Sequence, residues 1–158
     1  MAQRVVTMLR QAFRDRLNEA MKARDSRTVS TVRLMLAGLK ERDVAARGQG
    51  NAEGLSEAEI QRMLQAMIKQ RRESIALYQQ GNRPDLAQQE SEEIAVIESF
   101  LPRQLDEGEI EAVAKAAIDE TGAATVKDLG KVMAVLRERH GGVIDLGRAG
   151  AIVRRLLG

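Results

Sequence analysis

Charged side chains interrupt two apolar helical stripes in the middle of the sequence, and their spacing is the clearest indication of chemistry. At about 100° per residue, Arg71 falls on the apolar face of one segment, and Glu90 and Glu93 fall on that of the next. If the two segments fold back about a turn at residues 81–84, Arg71 and Glu93 lie at similar distances from the turn and face each other. The pattern predicts a buried ion pair, which fixes the register of two helices more reliably than it stabilises them.

The two glutamates could instead belong to a metal or acid/base site between helices. Carboxylate sites in helical bundles usually add a Glu-x-x-His motif, and no predicted helix contains one. We therefore expect Glu90 and Glu93 to serve the ion pair with Arg71, and we expect no metal site.

Catalytic groups of other kinds are scarce in the sequence. It has no cysteine, which excludes disulfides, thiolate metal sites and cysteine nucleophiles. His140 is the only histidine, and its place near the end of a predicted helix favours a structural role beside the helix dipole. The glycines of residues 48–54 follow no predicted strand, so they indicate a linker rather than a phosphate-binding loop. We expect no bound cofactor and no catalytic centre.

Basic side chains outside the apolar stripes offer a different chemistry, the binding of a polyanion. Lys69 projects opposite the stripe that contains Arg71, and Arg72 lies on its flank. Lys127 and Lys131 are four residues apart on the outer side of a predicted helix. Aromatic residues make up only 2% of the chain, which leaves little stacking for unpaired bases, so any RNA contact is expected to recognise shape and backbone.

The distribution of charge along the chain is compatible with such a role but does not require it. Residues 1–50 contain 11 Lys and Arg against 5 Asp and Glu, residues 51–100 contain 5 against 9, and residues 101–158 contain 9 against 9. Charge runs of this size are more often solvated helix faces than binding surfaces.

Seven predicted helices position these side chains. Ser56 and Glu59 form a capping box that begins the third helix, Gly81 is predicted to end it in the left-handed conformation, and Pro84 suits the first turn of the fourth. Gly122 is predicted to end the fifth helix. The seven segments span about 5–22, 28–47, 56–80, 84–101, 106–121, 125–139 and 145–157.

The composition indicates an all-α protein with two domains. A chain of 158 residues that is 44% hydrophobic and 30% charged, with few aromatics, suits packed helices better than a sheet-based core. Leu101-Pro102 disfavours helix, and the composition shifts beyond it. We predict a four-helix N-terminal domain of residues 1–102 and a three-helix C-terminal domain of residues 103–158.

The lack of cysteine, of a secretion signal and of a membrane span predicts a cytoplasmic protein. The amphipathic N-terminus has no apolar run of the signal-peptide type, and no segment approaches the roughly 20 apolar residues of a membrane span. We therefore expect no membrane partner.

Four stretches together resemble the YqeY family, whose members share a fold with the tail of GatB, the tRNA-binding subunit of glutamine-dependent aminoacyl-tRNA amidotransferases. Their order and spacing, rather than any one of them, carry the resemblance. They are the segments within residues 33–43, 68–86, 100–105 and 121–133.

The resemblance implies a helical two-domain protein with a tRNA-related binding role. Its association with carbon–nitrogen ligase activity, with glutamine as amido donor, comes only through kinship with GatB. Many relatives have a Gly-Arg-Ala-Asp-Gly turn before the last helix, whereas this chain reads Gly141-Gly142-Val143-Ile144-Asp145-Leu146-Gly147. Arg148, on the solvent side of the last helix, is the candidate to replace the missing arginine; the alternative is that it is an ordinary surface residue.

Two hypotheses follow from the sequence. In the first, the protein is a non-catalytic module that binds tRNA or another structured RNA through Lys127, Lys131 and neighbouring cations. In the second, it is a helical adaptor whose charged faces meet a protein, such as a component of the translation or aminoacyl-tRNA machinery.

Overall fold

The computed structural model describes the backbone of residues 2–158 and the side chains of residues 8–158. Its described residues form α-helices, one short 3-10 turn and no strand, so the predicted all-α class is confirmed. The helices are α1 (Ala2–Ala23), α2 (Ser26–Gly48), α3 (Glu57–Gln80), α4 (Pro84–Glu98), α5 (Glu107–Thr121), α6 (Leu129–His140) and α7 (Leu146–Leu157).

The chain divides into two compact units. Unit 1 extends to Leu101 and contains α1 to α4, and unit 2 covers Pro102–Gly158 and contains α5 to α7. Each unit has its own cluster of buried apolar side chains. That each of them folds independently as a domain stays a prediction.

The core of unit 1 is almost entirely aliphatic and sulfur-containing. The two phenylalanines of the chain meet within it, the rings of Phe13 and Phe100 packing edge to face with centroids 5.0 Å apart. The remaining core is filled by flexible or branched side chains of modest size, which suits closely packed helices. Its fully buried members include Val32, Met35, Ile60, Met63, Leu64 and Ile97.

The core of unit 2 relies on small side chains to bring its helices together. Ala114 and Ala117 of α5 and Ala149 of α7 are buried, and they allow α5 to pack closely against α7. The larger side chains that complete this core are Ile110, Val132, Leu136, Ile144, Ile152 and Val153.

Side-chain caps and a left-handed glycine define several helix ends. Ser56 and Glu59 form the predicted capping box at the start of α3, and Asp106 and Glu109 form a second one, which was not predicted, at the start of α5. Gly122 ends α5 with φ 69°, the left-handed conformation that glycine adopts without steric cost. These local interactions satisfy backbone N–H groups that a helix N-terminus leaves free.

The turn between α3 and α4 differs from the prediction at one residue. Gly81 has φ −81°, and Asn82 instead adopts the left-handed conformation with φ 56°. Asparagine tolerates this conformation better than most residues, so the glycine is not required for it. Pro84 is the first residue of α4, as predicted.

Two predicted helix bounds are also corrected. Helix α4 ends at Glu98 rather than Leu101, and the chain continues through hydrogen-bonded turns before Pro102. The sixth helix begins at Leu129 rather than near Thr125, because a 3-10 turn of Val126–Asp128 precedes it. The Asp128 carboxylate accepts hydrogen bonds from the N–H groups of Ala124 and Thr125 and thereby holds this tighter turn.

Candidate nucleic-acid interface

The structure brings Arg71 and Glu93 together across the α3–α4 hairpin. Arg71 Nε lies 2.9 Å from Glu93 Oε2, and the two side chains are 12% and 9% exposed. The guanidinium also donates from Nη1 to the carbonyl oxygen of Met67 at 3.2 Å. These contacts give the arginine two hydrogen-bond partners in a site with little water, as a buried cation requires.

Glu90 is the third member of this group, and it lies farther from the arginine than Glu93 does. Its Oε2 is 4.0 Å from Arg71 Nε, at the limit of an ion pair. Burial raises the pKa of Glu90 above its ordinary value, and the negative charge of Glu93 and a hydrogen bond between the two carboxyl groups raise it further, while Arg71 opposes them. One arginine therefore compensates one carboxylate well and the other poorly.

Replacing the poorly compensated carboxylate is expected to stabilise the protein at neutral pH. Because the folded state raises the pKa of Glu90, it binds more protons than the unfolded state, so the contribution of this group falls as pH rises through its folded pKa. Glu90→Gln should raise the free energy of unfolding at pH 7, and the gain should vanish below the ordinary glutamate pKa. Urea denaturation of both proteins across this pH range measures the difference. A loss of stability at pH 7 would contradict the assignment.

The two candidate cations on α3 have different surroundings. Lys69 is exposed and makes no salt bridge with the described residues. Arg72 is half-buried, and its Nη2 lies 3.4 Å from Glu98 Oε1. Arg72 is thus held on the protein surface by a carboxylate, whereas Lys69 is available to an external anion.

The three candidates in unit 2 are exposed and lie on separate elements. Lys127 is in the 3-10 turn, Lys131 is in the first turn of α6 and Arg148 is in the first turn of α7. Because α6 begins at Leu129, Lys127 and Lys131 do not share a regular helix as predicted. None of the three makes a salt bridge with the described residues.

Charge is segregated within unit 2. Residues 102–124 contain two Lys and Arg against six Asp and Glu, whereas residues 125–158 contain seven against three. Two of these seven basic residues are paired with carboxylates among the described residues, Arg139 with Glu120 and Arg155 with Glu111. Residues 125–158 therefore keep a surplus of positive charge after these two ion pairs are formed.

A second buried ionic cluster in unit 1 was not predicted. Arg10 donates to both carboxylate oxygens of Asp43, at 2.7 and 2.8 Å, and to the carbonyl oxygen of Leu55 at 2.9 Å. The Leu55 N–H in turn donates to Asp43 Oδ1 at 2.9 Å. The hydrogen bond from Arg10 lowers the pKa of Asp43 below its ordinary value, against the opposing effect of burial. These bonds tie α1, α2 and the glycine-containing loop together.

Glu57 adds a buried carboxylate beside this cluster. Its Oε1 accepts the Leu9 N–H at 3.1 Å, and burial raises its pKa above the ordinary value. Both Asp43 and Glu57 continue the spacing of apolar stripes, Asp43 after Val32 and Leu39 and Glu57 before Ile60. The pattern that identified Arg71 would therefore have identified them too.

Other kinds of site find little support in the described residues. Within residues 8–158, no group of three or more potential ligands among His, Asp and Glu side chains is placed to hold a metal ion. Across the same part of the chain, every helix is too short or too polar to cross a membrane. His140 is the last residue of α6, where its carbonyl oxygen accepts the N–H groups of Val143 and Ile144.

Curated relatives of this chain carry the name "Altered inheritance of mitochondria protein 41, mitochondrial". The protein of Lachancea thermotolerans is 31% identical over 65% of this chain and 50% of its own length. That of Vanderwaltozyma polyspora is 28% identical over 72% and 62%, and that of Clavispora lusitaniae is 33% identical over 54% and 46%. The chain thus spans about half the length of the curated relatives that it matches.

These names correct the predicted cytoplasmic location, because the relatives are named as mitochondrial proteins. The prediction rested on the lack of cysteine, of a signal-type apolar run and of a membrane span. Those features do not distinguish one aqueous compartment from another, so they could not support the prediction of the cytoplasm in particular.

The match to a protein family covers nearly the whole chain. Residues 10–157 match the family described as Yqey-like protein, which includes the core of both units and the α3–α4 hairpin. This agrees with the resemblance found in the four sequence stretches. The chain belongs to the YqeY family.

Proposed function

We propose that this protein is a non-catalytic module that binds structured RNA, of the tRNA class, through the basic residues of the segment 125–158 in unit 2. The observation that carries the proposal is the surplus of cations between residues 125 and 158, seven Lys and Arg against three Asp and Glu. Lys127, Lys131 and Arg148 belong to this surplus and are exposed without salt bridges to the described residues. Phosphate groups are the ligands that such side chains bind most readily.

The lack of aromatic side chains in unit 2 favours a folded RNA over a single strand as the ligand. The aromatic residues of the chain are two phenylalanines and one tyrosine, all in unit 1, so unit 2 offers no aromatic stacking platform. Lysines and arginines held on a 3-10 turn and on the first turns of two helices can contact phosphates in a fixed arrangement, which recognises the shape of a folded RNA. The family's kinship with the GatB tail supports tRNA as the RNA class.

The proposal assigns no reaction to this chain. It has no cysteine, and its one histidine lies at the end of α6, where its carbonyl accepts backbone hydrogen bonds. The ion pair of Arg71 and Glu93 is assigned a structural role, since it holds α3 against α4. The amidotransferase association is kinship with a subunit of an enzyme.

The salt dependence of tRNA binding tests this proposal. Affinity should fall steeply with salt, and the Lys127→Ala/Lys131→Ala variant should flatten the slope of log K against log salt by about 0.7–0.9 per lost contact. Fluorescence anisotropy with labelled folded tRNA measures the slope.

Lys115→Ala is the matched control for this measurement. Lys115 is also exposed and in unit 2, but it lies on the acidic α5, 3.5 Å from Glu111. Its removal should leave the slope unchanged. Equal effects of the two variants, or no binding of tRNA at low salt, would contradict the proposal.

A further inference from the structure

Unit 1 has an open groove where α1 meets α2, which we call the α1–α2 groove. Its volume is about 440 Å³, and it is lined by Met21, Arg24, Ser26, Val29, Ser30 and Arg33. Met21 is 51% exposed although it is apolar, and Val29 is only half-buried. A shallow groove with apolar side chains left in water suits a side chain of a partner protein better than an enclosed small molecule.

Positive charge borders this groove and is not neutralised by the described residues. Arg24 and Arg33 are exposed and make no salt bridge with the described residues. Their neighbour Arg27, in contrast, is paired with Glu92 of α4 at 3.2 Å. Arg24 and Arg33 are therefore free to meet carboxylates of a partner.

The backbone at Arg24 places an arginine where glycine is usual. Its φ is 57°, the left-handed conformation, directly after the end of α1. Glycine is the common residue at this position because its lack of a Cβ removes the steric cost. Arg24 adopts this conformation despite the steric cost, and its side chain lines the groove.

The outer face of α2 continues from the groove as a row of five exposed residues, which we call the seam. Ser30, Leu34, Ala37, Glu41 and Val44 follow one another in alternating steps of four and three residues, which is the spacing of a coiled-coil contact. All five are exposed, Leu34 at 50% and Val44 at 58%. The opposite face of α2 is the one buried in unit 1, with Val32, Met35 and Leu39 in the core.

The residues that flank this seam are basic, which favours a partner with acidic flanking residues. Arg33 and Lys40 are seven residues apart, and each directly precedes a seam position, as basic g positions do in a coiled coil. An antiparallel second copy of the same helix would bring like charges together, and a parallel copy would place these cations beside the uncharged Gly38 and Ala45. A partner with glutamates at its own flanks would meet opposite charges. An RNA would leave Met21, Leu34 and Val44 in water.

We propose that the α1–α2 groove and the outer face of α2 bind an acidic amphipathic helix of a partner protein. Apolar side chains of that helix cover Leu34, Ala37 and Val44, and one of them enters the groove beside Met21. Its carboxylates meet Arg24, Arg33 and Lys40. Glu41, a polar residue within the seam, fixes the register by requiring a polar residue opposite.

A designed peptide tests this surface in the intact protein. The probe is a fluorescein-labelled helix of about three heptads with leucine at the seam positions, one lysine opposite Glu41 and glutamate at the flanks. Anisotropy should show saturable binding. Lysine in place of the flanking glutamates should weaken it at least about tenfold, and Arg24→Gly with Arg33→Ala should weaken it about tenfold.

Matched variants separate binding from folding. Arg24→Gly removes the cation and relieves its left-handed conformation, so the melting temperature should stay unchanged or rise. Lys69→Ala and Leu77→Ser, exposed positions of α3, are controls for Arg33→Ala and Leu34→Ser and should leave peptide binding unchanged. Lys127→Ala/Lys131→Ala should also leave it unchanged, because those lysines belong to the proposed RNA surface of unit 2.

Three results would overturn the proposal. The first is the absence of acidic-peptide binding at millimolar protein concentration. The second is equal binding of the acidic and basic peptides. The third is a loss of tRNA binding, rather than of peptide binding, in the Arg24→Gly/Arg33→Ala variant, which would make this face an RNA surface.

Discussion

Arg71→Met is expected to lower the free energy of unfolding of the protein by about 3–5 kcal/mol, the usual cost of removing one partner of a buried ion pair. The loss has two sources. Glu93 would remain buried at 9% exposure without its ion-pair partner, and Glu90 would lose the one cation that lies within ion-pair distance of it among the described residues. Methionine fills the space of the arginine stem, so that the change reports on charge more than on a cavity. Urea denaturation followed by circular dichroism measures the loss.

The double variant Arg71→Met/Glu93→Leu is the control for this prediction. It removes both charges of the pair, and an apolar pair of similar volume should recover most of the stability lost in the single variant. The coupling between the two positions then gives the interaction energy directly. Equal losses in the single and double variants would show that the two side chains do not depend on each other.

Gly54→Ala is expected to cost about 3–5 kcal/mol, because the substitution opposes both the backbone and the ionic cluster. Gly54 has φ 80°, which an alanine adopts only with strain. A Cβ at this position would also collide with the Asp43 carboxylate, whose Cγ would be 2.9 Å away. Asp43 could yield only by giving up its two bonds to Arg10 and its bond to the Leu55 N–H. Urea denaturation again measures the change.

Gly50→Ala separates the two causes. Gly50 lies in the same loop with φ 96°, but a Cβ there would meet nothing within 4 Å. Its substitution should therefore cost only the backbone strain, about 1–2 kcal/mol. If Gly50→Ala and Gly54→Ala destabilised the protein equally, the contact with Asp43 would contribute nothing.

The helical architecture could be predicted from the sequence because local rules determine it. The capping box at Ser56 and the terminal Gly122 depend on interactions within a few residues, and both were found as expected. The approach of Arg71 to Glu93 is a tertiary contact, yet it follows from the short hairpin and the helical period. Because the turn between α3 and α4 is short, the two helices must pack against each other in antiparallel orientation.

The Arg10–Asp43–Leu55 cluster could not be placed in the same way. It joins residues 33 and 45 positions apart in sequence through a loop whose path depends on Gly54. The polar composition of residues 48–54 indicated a linker, although Gly54 is buried against Asp43. Asp43 and Glu57 did continue apolar stripes, so their burial was readable, but their partners were not.

The choice between Gly81 and Asn82 in the hairpin shows the limit of residue preferences. Both residues tolerate the left-handed conformation, and only the path of the chain between α3 and α4 decides which adopts it. The same applies to Lys127, whose 3-10 turn depends on the bonds that Asp128 makes to Ala124 and Thr125. The roles of surface cations are still harder to predict from sequence, since they depend on a ligand.

The most direct test of RNA binding by unit 2 is an NMR titration of the 15N-labelled full chain with folded tRNA at low salt. We expect amide shifts concentrated in the 3-10 turn, α6 and α7, which reverse as salt is added because phosphate contacts are released. Unit 1, including the outer face of α2, should remain unshifted. An absence of shifts at low salt, or shifts centred on α1 and α2, would contradict the proposed function.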